Sequence, residues 1–177
     1  LTMQTPDLTD YNMMDAATKL DTEWRAGLYN PSNAAQMNLY NKYRRNVLGG
    51  VDTYWLSKPL RTAIQNRHSL SVAGGTDVFR YSLDINAAMQ PGVMKGSSNG
   101  TKGVNFNMTY LKDKFTMRAN VGLSESNSSN SPYGSYSQYT RLNPYYIPTD
   151  ANGQQIKVLD NNTVSGQSKM ITNPLYD

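Results

Sequence analysis

Tyrosine and arginine carry most of the recognition chemistry in this sequence. Tyr133, Tyr136, Tyr139, Tyr145 and Tyr146 gather around a lone Arg141. Both residue types anchor interfaces because they join large contact area to directional hydrogen bonds. Such rings can stack on sugars or peptides, and they can equally pack loops together. The residues by themselves leave both readings open.

No group is marked out for catalysis. His68 is the single histidine and there is no cysteine. Thiol catalysis, disulfides, cysteine-ligated metals and a histidine metal cluster are therefore excluded. Neither a serine elbow nor a phosphate-binding glycine loop occurs. Asp150-Ala151-Asn152-Gly153 opens like a calcium loop but lacks the glycine spacing and the closing glutamate, so it reads as a plain turn. The glycosylation-like triplets at Asn99, Asn107, Asn127 and Asn161 are what a chain rich in Asn, Ser and Thr produces by chance. Lys42 with Arg44-Arg45 reads as a solvated helix end, and His68 as a residue facing a lumen or an interface. The expectation is a protein that is not an enzyme, with no metal and no cofactor.

Composition narrows the class. Of 177 residues, 17% are charged and 38% hydrophobic, both below the roughly 25% and 45–50% of soluble domains. The neutral polar residues make up the difference. With a net charge of only +4, disorder through charge is not favoured. The basic residues are dispersed rather than striped, which argues against nucleic acid as a partner. No more than three consecutive residues are apolar, so there is no membrane helix and no signal-peptide core. Membrane β-barrels escape that test, because their strands alternate.

The elements that would position these residues divide the chain in three. Residues 1–60 read as helical. Thr9 or Asp10 could cap a helix carrying Met14, Ala17, Leu20, Trp24 and Leu28, with Gly27 as its stop. A second helix would carry Met37, Tyr40, Tyr43 and Val47 on one face and end at Gly49-Gly50. Both stripes are narrow, as for helices lying on something else. Over 61–124 the period becomes two, predicting four antiparallel strands. Leu70 and Val72 alternate with serines before a turn at Gly74–Asp77. Phe79, Tyr81, Leu83 and Ile85 alternate with Arg80, Ser82, Asp84 and Asn86. After a loop over Gln90–Lys102 come Val104, Phe106, Met108 and Tyr110. After a turn at Leu111–Lys114 come Phe115, Met117, Ala119, Val121 and Leu123. Each strand thus has one greasy and one polar face. Residues 125–177 read as one long loop.

The short-long-short rhythm of connections matches an outer-membrane barrel, with short periplasmic turns and long extracellular loops. A soluble β-sandwich with one buried face would show the same alternation. On the barrel reading, Phe79, Leu83, Ile85, Phe106, Met108, Phe115, Met117, Val121 and Leu123 face lipid, with Tyr81 and Tyr110 near the membrane interface.

Several stretches, in order, resemble one known family. They are Tyr11-Asn-Met-Met-Asp-Ala-Ala-Thr-Lys-Leu20, Trp55-Leu-Ser-Lys-Pro-Leu-Arg-Thr-Ala63, His68-Ser-Leu-Ser-Val-Ala-Gly-Gly75 and Phe79-Arg-Tyr-Ser-Leu83. They continue through Gly92-Val-Met-Lys-Gly96, Ser131-Pro-Tyr-Gly-Ser-Tyr-Ser-Gln-Tyr-Thr140 and Asn143-Pro-Tyr-Tyr146. The chain resembles the SusC/RagA-type TonB-dependent outer-membrane transporters, departing from them in a less basic stretch at Ser97–Lys102. The resemblance implies a barrel segment of an importer of oligosaccharides or peptides in the outer membrane of a Gram-negative bacterium. Such transporters close about 22 strands around a plug, so the plug, the TonB box and the remaining strands would lie outside these residues. It also implies a SusD-like surface lipoprotein as lid and the TonB complex as the source of work. Tyr133, Tyr136, Tyr139, Arg141, Tyr145 and Tyr146 would then meet substrate or lid. The alternative is a soluble secreted β-domain that binds glycans, such as an adhesin or carbohydrate-binding module.

Overall fold

Strands β2 (Ala63–Gly75), β3 (Phe79–Pro91), β4 (Ser98–Lys112) and β5 (Phe115–Ser129) form an antiparallel meander in the computed structural model. The structure describes residues 1–164 and 167–176, with residues 162–164 and 167–169 described by backbone alone. Strands of 13 to 15 residues are long beside the usual five or six. The short β1 (Thr2–Gln4) adds to the outer edge of β2 at Ala63–Gln65, a pairing that the sequence did not predict. The sheet order is β1-β2-β3-β4-β5, and among the described residues the sheet is open.

The predicted loop over Gln90–Lys102 is corrected. Pairing continues through Pro91↔Ser98 and Ala87↔Lys102, so the connection is only Gly92 to Ser97. Gly, Ser and Asn have weak strand propensity, but β4 has a hydrogen-bonded neighbour on each side, and that tertiary pairing overrides it. Arg61 holds the remaining loop, its guanidinium donating to the Gly92 and Ser97 carbonyls at 3.3 and 3.0 Å. The turns at the other end are tighter than expected. Thr76 to Val78 joins β2 to β3, with the Thr76 hydroxyl accepting from the Val78 and Phe79 amides. Asp113-Lys114 joins β4 to β5, Asp113 taking the left-handed conformation at φ 54°, which Asp tolerates.

Residues 1–6 and 61–132 form one compact unit, and residues 7–60 and 133–177 a second. In the second, helix α1 (Ala16–Arg25) starts later than expected. Asp15 is the cap, its carboxylate accepting from the Thr18 amide at 2.7 Å, whereas Asp7 binds Thr9 in a local turn. Helix α2 (Ala34–Leu48) is capped by Asn33. Both helices end alike. Gly27 (φ 74°) and Gly50 (φ 85°) occupy the left-handed position, and the next amides, Leu28 and Val51, reach back to the Glu23 and Asn46 carbonyls. This is the Schellman closure that glycine permits.

The predicted long loop 125–177 is also corrected. Its first five residues belong to β5, and the rest contains α3 (Tyr136–Tyr139) and an antiparallel pair, β6 (Val158–Val164) and β7 (Gln167–Thr172). Part of that stretch, Ser165, Gly166 and Asp177, lies outside the described residues, as do the side chains of Asn162 and Thr163. Asp150–Gly153 is the plain turn expected, the Asp150 carboxylate accepting from the Asn152 and Gln154 amides at 2.9 Å.

Candidate functional site

Directly opposed residues in a sheet share a face, so the register sorts the side chains. Val72, Leu83, Phe106 and Val121 form one row, and Leu70, Ile85, Val104 and Leu123 the next. Toward the tight turns follow Gly74, Tyr81, Met108 and Ala119, then Phe79, Tyr110 and Met117, with Phe115 opposite Lys112 beyond. All nine residues read from the sequence as lipid-facing, Phe79, Leu83, Ile85, Phe106, Met108, Phe115, Met117, Val121 and Leu123, therefore share one face. Leu83, Phe106 and Met108 at its centre are half-buried by neighbours, while Leu123 is 70% and Phe115 59% exposed. Monomeric soluble proteins rarely leave a contiguous apolar patch beyond a few hundred Å². This one runs unbroken across four strands.

The two ends of this face differ. At the tight turns lie four aromatic rings, with Phe79 against Tyr81 at 5.9 Å and Tyr110 edge-on to Phe115 at 6.4 Å. The Tyr81 ring lies over Gly74, where a Cβ would come within 2.9 Å of its hydroxyl. At the opposite end the apolar rows give way to His68, Ala87, Lys102 and Glu125. His68 is thus on the apolar side, just past the greasy rows.

The reverse face is a polar lattice. The Ser71 hydroxyl donates to Asp84 at 2.6 Å, Asn107 donates to Ser82 at 3.2 Å, and Asn120 donates to both Asn105 and Asn107. Each of these polar side chains has a partner on a neighbouring strand, so the lattice stiffens that face without any apolar packing.

The second unit uses the same residue types in the opposite way. Its core gathers Ala16, Leu20, Tyr29, Tyr43, Trp55, Leu56, Tyr139, Tyr145, Tyr146 and Leu159. Tyr43 stacks on Tyr145 at 4.3 Å, and Tyr145 meets Tyr146 edge-on at 5.1 Å. Two buried carboxylates tie this core together. Glu23 accepts from the Tyr29 and Tyr145 hydroxyls at 2.9 Å each. Asp160 accepts from the Tyr43 hydroxyl and from the Lys42 ammonium at 2.5 Å. Lys42 is therefore not the plain solvated cation its neighbours Arg44 and Arg45 suggested. Trp55 donates its indole N–H to the Asn143 carbonyl at 2.9 Å. On α1 the buried positions are Ala16, Leu20 and Glu23, a stripe displaced from the expected one because Glu23 turns inward.

Burial raises the tyrosine pKa values in this core. Tyr139 and Tyr146 are pushed up to about 12, chiefly by desolvation. Tyr29, Tyr43 and Tyr145 are held higher still by desolvation together with the facing carboxylates. These hydroxyls are donors and acceptors at neutral pH, not acids.

The six residues expected to meet substrate or lid are separated by this arrangement. Tyr139, Tyr145 and Tyr146 are at most 3% exposed, and their rings are taken up by the core. Tyr133 and Tyr136 are half-buried, the Tyr136 hydroxyl donating to the Leu56 carbonyl at 3.2 Å. Arg141 alone is exposed. Glu23 and Asp160 escaped the sequence reading because a carboxylate destined for burial carries no local signal. Among the described residues no group of three or more His, Asp or Glu side chains is placed to hold a metal ion, and no helix is long and apolar enough to cross a membrane.

Comparison with solved structures identifies the fold. The chain superposes on a chain of the RagAB peptide importer in its closed-closed state, with a TM-score of 0.68 over 97% of its length at 19% identity. The same values hold for a structure of the RagAB peptide transporter. The fold is that of a segment of a peptide-importer chain. The chain spans only 22% of those solved chains. No protein-family model matches the sequence, and no curated protein matches it.

Proposed function

We infer that this chain is a segment of a SusC/RagA-type TonB-dependent importer in the outer membrane, acting in transport and not as an enzyme. The observation that carries this reading is the single uncovered apolar face, in register over four long strands and backed by a polar lattice. From Phe115 to Leu123 the greasy band runs about 27 Å along the strand. At a tilt of about 40° it covers about 21 Å of membrane, near the roughly 25 Å of an outer-membrane barrel. A soluble glycan-binding domain would cover such a face with a second layer. The fold likeness and the ordered family-like stretches support the same reading.

On this reading the polar lattice faces the lumen, and the aromatic end lies at the periplasmic interface. Residues 1–60 and 125–177 are extracellular regions in this reading. Substrate, an oligosaccharide or peptide, is enclosed between the barrel and a SusD-like lipoprotein, and TonB supplies the pull on a plug outside these residues.

Topology tests it. In the full-length protein on intact cells, a cysteine at Lys95 reacts with an impermeant reagent, while one at Thr76 does not. Labelling at position 76 with protection at 95 would invert the orientation. Recovery of the protein in the soluble fraction would end the reading.

A further inference from the structure

With Tyr139, Tyr145 and Tyr146 withdrawn into the core, the groove beside Arg141 stands out. It has a volume of about 350 Å³ and is lined by Gln138, Arg141, Leu142, Pro174 and the part of β7 from Met170 to Thr172. The chemistry of its walls is mixed in a specific way. Leu142, Met170, Ile171 and Pro174 are apolar, Gln138 is an amide, and the only charge among the lining residues is the Arg141 guanidinium. That guanidinium has no hydrogen bond or ion pair to the described residues. Three successive residues of β7 line the groove, so it follows the strand's edge as well as one of its faces. That edge is unpaired among the described residues, since β7 pairs only with β6. The groove is held in shape by Tyr139, whose hydroxyl donates to the Tyr133 and Pro174 carbonyls at 2.9 and 3.3 Å.

We propose that this groove binds the carboxyl-terminal end of a peptide, the terminal carboxylate on Arg141 and an aliphatic terminal side chain against Leu142, Met170 and Ile171. A guanidinium offers a carboxylate two parallel N–H donors. The free edge of β7 offers backbone hydrogen bonds to an extended chain. A glycan would call for flat, open aromatic platforms, and Tyr139, Tyr145 and Tyr146, which could have supplied them, are buried. The proposal deepens the importer reading by choosing peptide over oligosaccharide, and it rests on that reading for the groove's biological role.

The test is peptide binding to the purified full-length protein in detergent, using a labelled hexapeptide of alanines ending in leucine, as the free acid and as the carboxyl-terminal amide. The free acid binds wild type about tenfold or more tighter than the amide. Arg141→Gln loses the difference, and Arg141→Lys keeps part of it. Met170→Glu, which sets a like charge at the exposed wall, weakens the acid more than the amide. Equal affinity for acid and amide, or a difference that survives in Arg141→Gln, overturns the proposal. So does binding of an oligogalacturonate with no binding of either peptide. Membrane fractionation of the same preparations reads the importer assignment separately. A protein that assembles in the outer membrane but ignores the peptide's carboxylate refutes the groove and leaves the transporter. A protein found soluble that still discriminates acid from amide does the reverse.

Discussion

The sheet and the tyrosine-cored unit spend their apolar residues in opposite directions. In the sheet, Leu70, Ile85, Val104 and Leu123 stand in one exposed row, and the hydrogen-bonded side chains lie on the reverse face. In the second unit, Tyr43, Trp55, Leu56 and Tyr139 are all but inaccessible, and the polar atoms they bring with them are paired inside. On the importer reading, the difference reflects the solvent each part is built for. A tyrosine core suits a chain poor in Ile and Phe, because each ring supplies a large contact area and each hydroxyl can be satisfied by a carboxylate or carbonyl. An outward apolar face is stable only where the surroundings are themselves apolar.

The widest separation between the two regions is expected from truncating side chains. Trp55→Ala empties a filled site in the second unit and costs about 3–5 kcal/mol, in detergent and in membrane alike. Leu123→Ala, at a 70% exposed position, changes little in detergent. Protease sensitivity of residues 7–60 in the full-length protein reads the first, and equal resistance of wild type and Trp55→Ala would contradict a packed core.

Charge reverses the contrast. Leu83→Arg, at mid-face, costs about 2–4 kcal/mol in the bilayer, and Ser82→Arg, on the lattice face, much less. Assembly into the outer membrane measures both. If the two variants assemble equally well, the apolar face does not meet lipid.

A smaller effect separates polar groups by what they serve. Tyr145→Phe leaves the ring and removes one of the two hydroxyls on Glu23, at about 1.5–3 kcal/mol for a hydrogen bond to a buried charge. Ser82→Ala on the lattice, where one hydroxyl–amide bond is lost next to solvent, costs about 1 kcal/mol or less. Chemical denaturation of the two variants side by side gives the order, and a reversed order would mean that the lattice, not the carboxylate network, holds the molecule.

The last difference is silent at neutral pH. Core tyrosines have folded pKa values above the unfolded value near 10, so the folded state favours their protonated form. Their stabilisation is complete below pH 10 and is lost as the pH rises above it toward the folded values, about 12 for Tyr139 and Tyr146. Tyrosinate absorbance during an alkaline titration rises last for the second unit, together with its unfolding. Replacing Tyr139 and Tyr146 by Phe removes part of that late rise. Loss of absorbance near pH 10 instead, with the late rise intact, would show that the two rings are open to solvent.

The sheet was largely legible from the residues. A strand turns successive side chains to opposite faces, so the alternation from Phe79 to Ile85 and from Phe115 to Leu123 assigns a face to each residue without knowledge of its neighbours. Helix ends at Gly27 and Gly50 were legible for a similar reason, since a left-handed closing residue is a local demand. What failed was local as well: propensity placed a loop over Gln90–Lys102, where pairing on both sides imposes strand.

The tyrosine core lay beyond reach because its partners are far apart in sequence. Glu23 meets Tyr145 across 122 residues, Tyr43 meets Asp160 across 117, and Trp55 meets Asn143 across 88. Nothing in the spacing of Tyr133, Tyr136, Tyr139, Tyr145 and Tyr146 tells a ring that stacks inward from one held out for a ligand, because that choice depends on which distant segment arrives to cover it. The sequence by itself determined period, face and turn, which depend on backbone geometry within a few residues. Tertiary structure decided which tyrosines are core, which carboxylates are buried among them, and that Arg141 is left exposed beside an open strand edge.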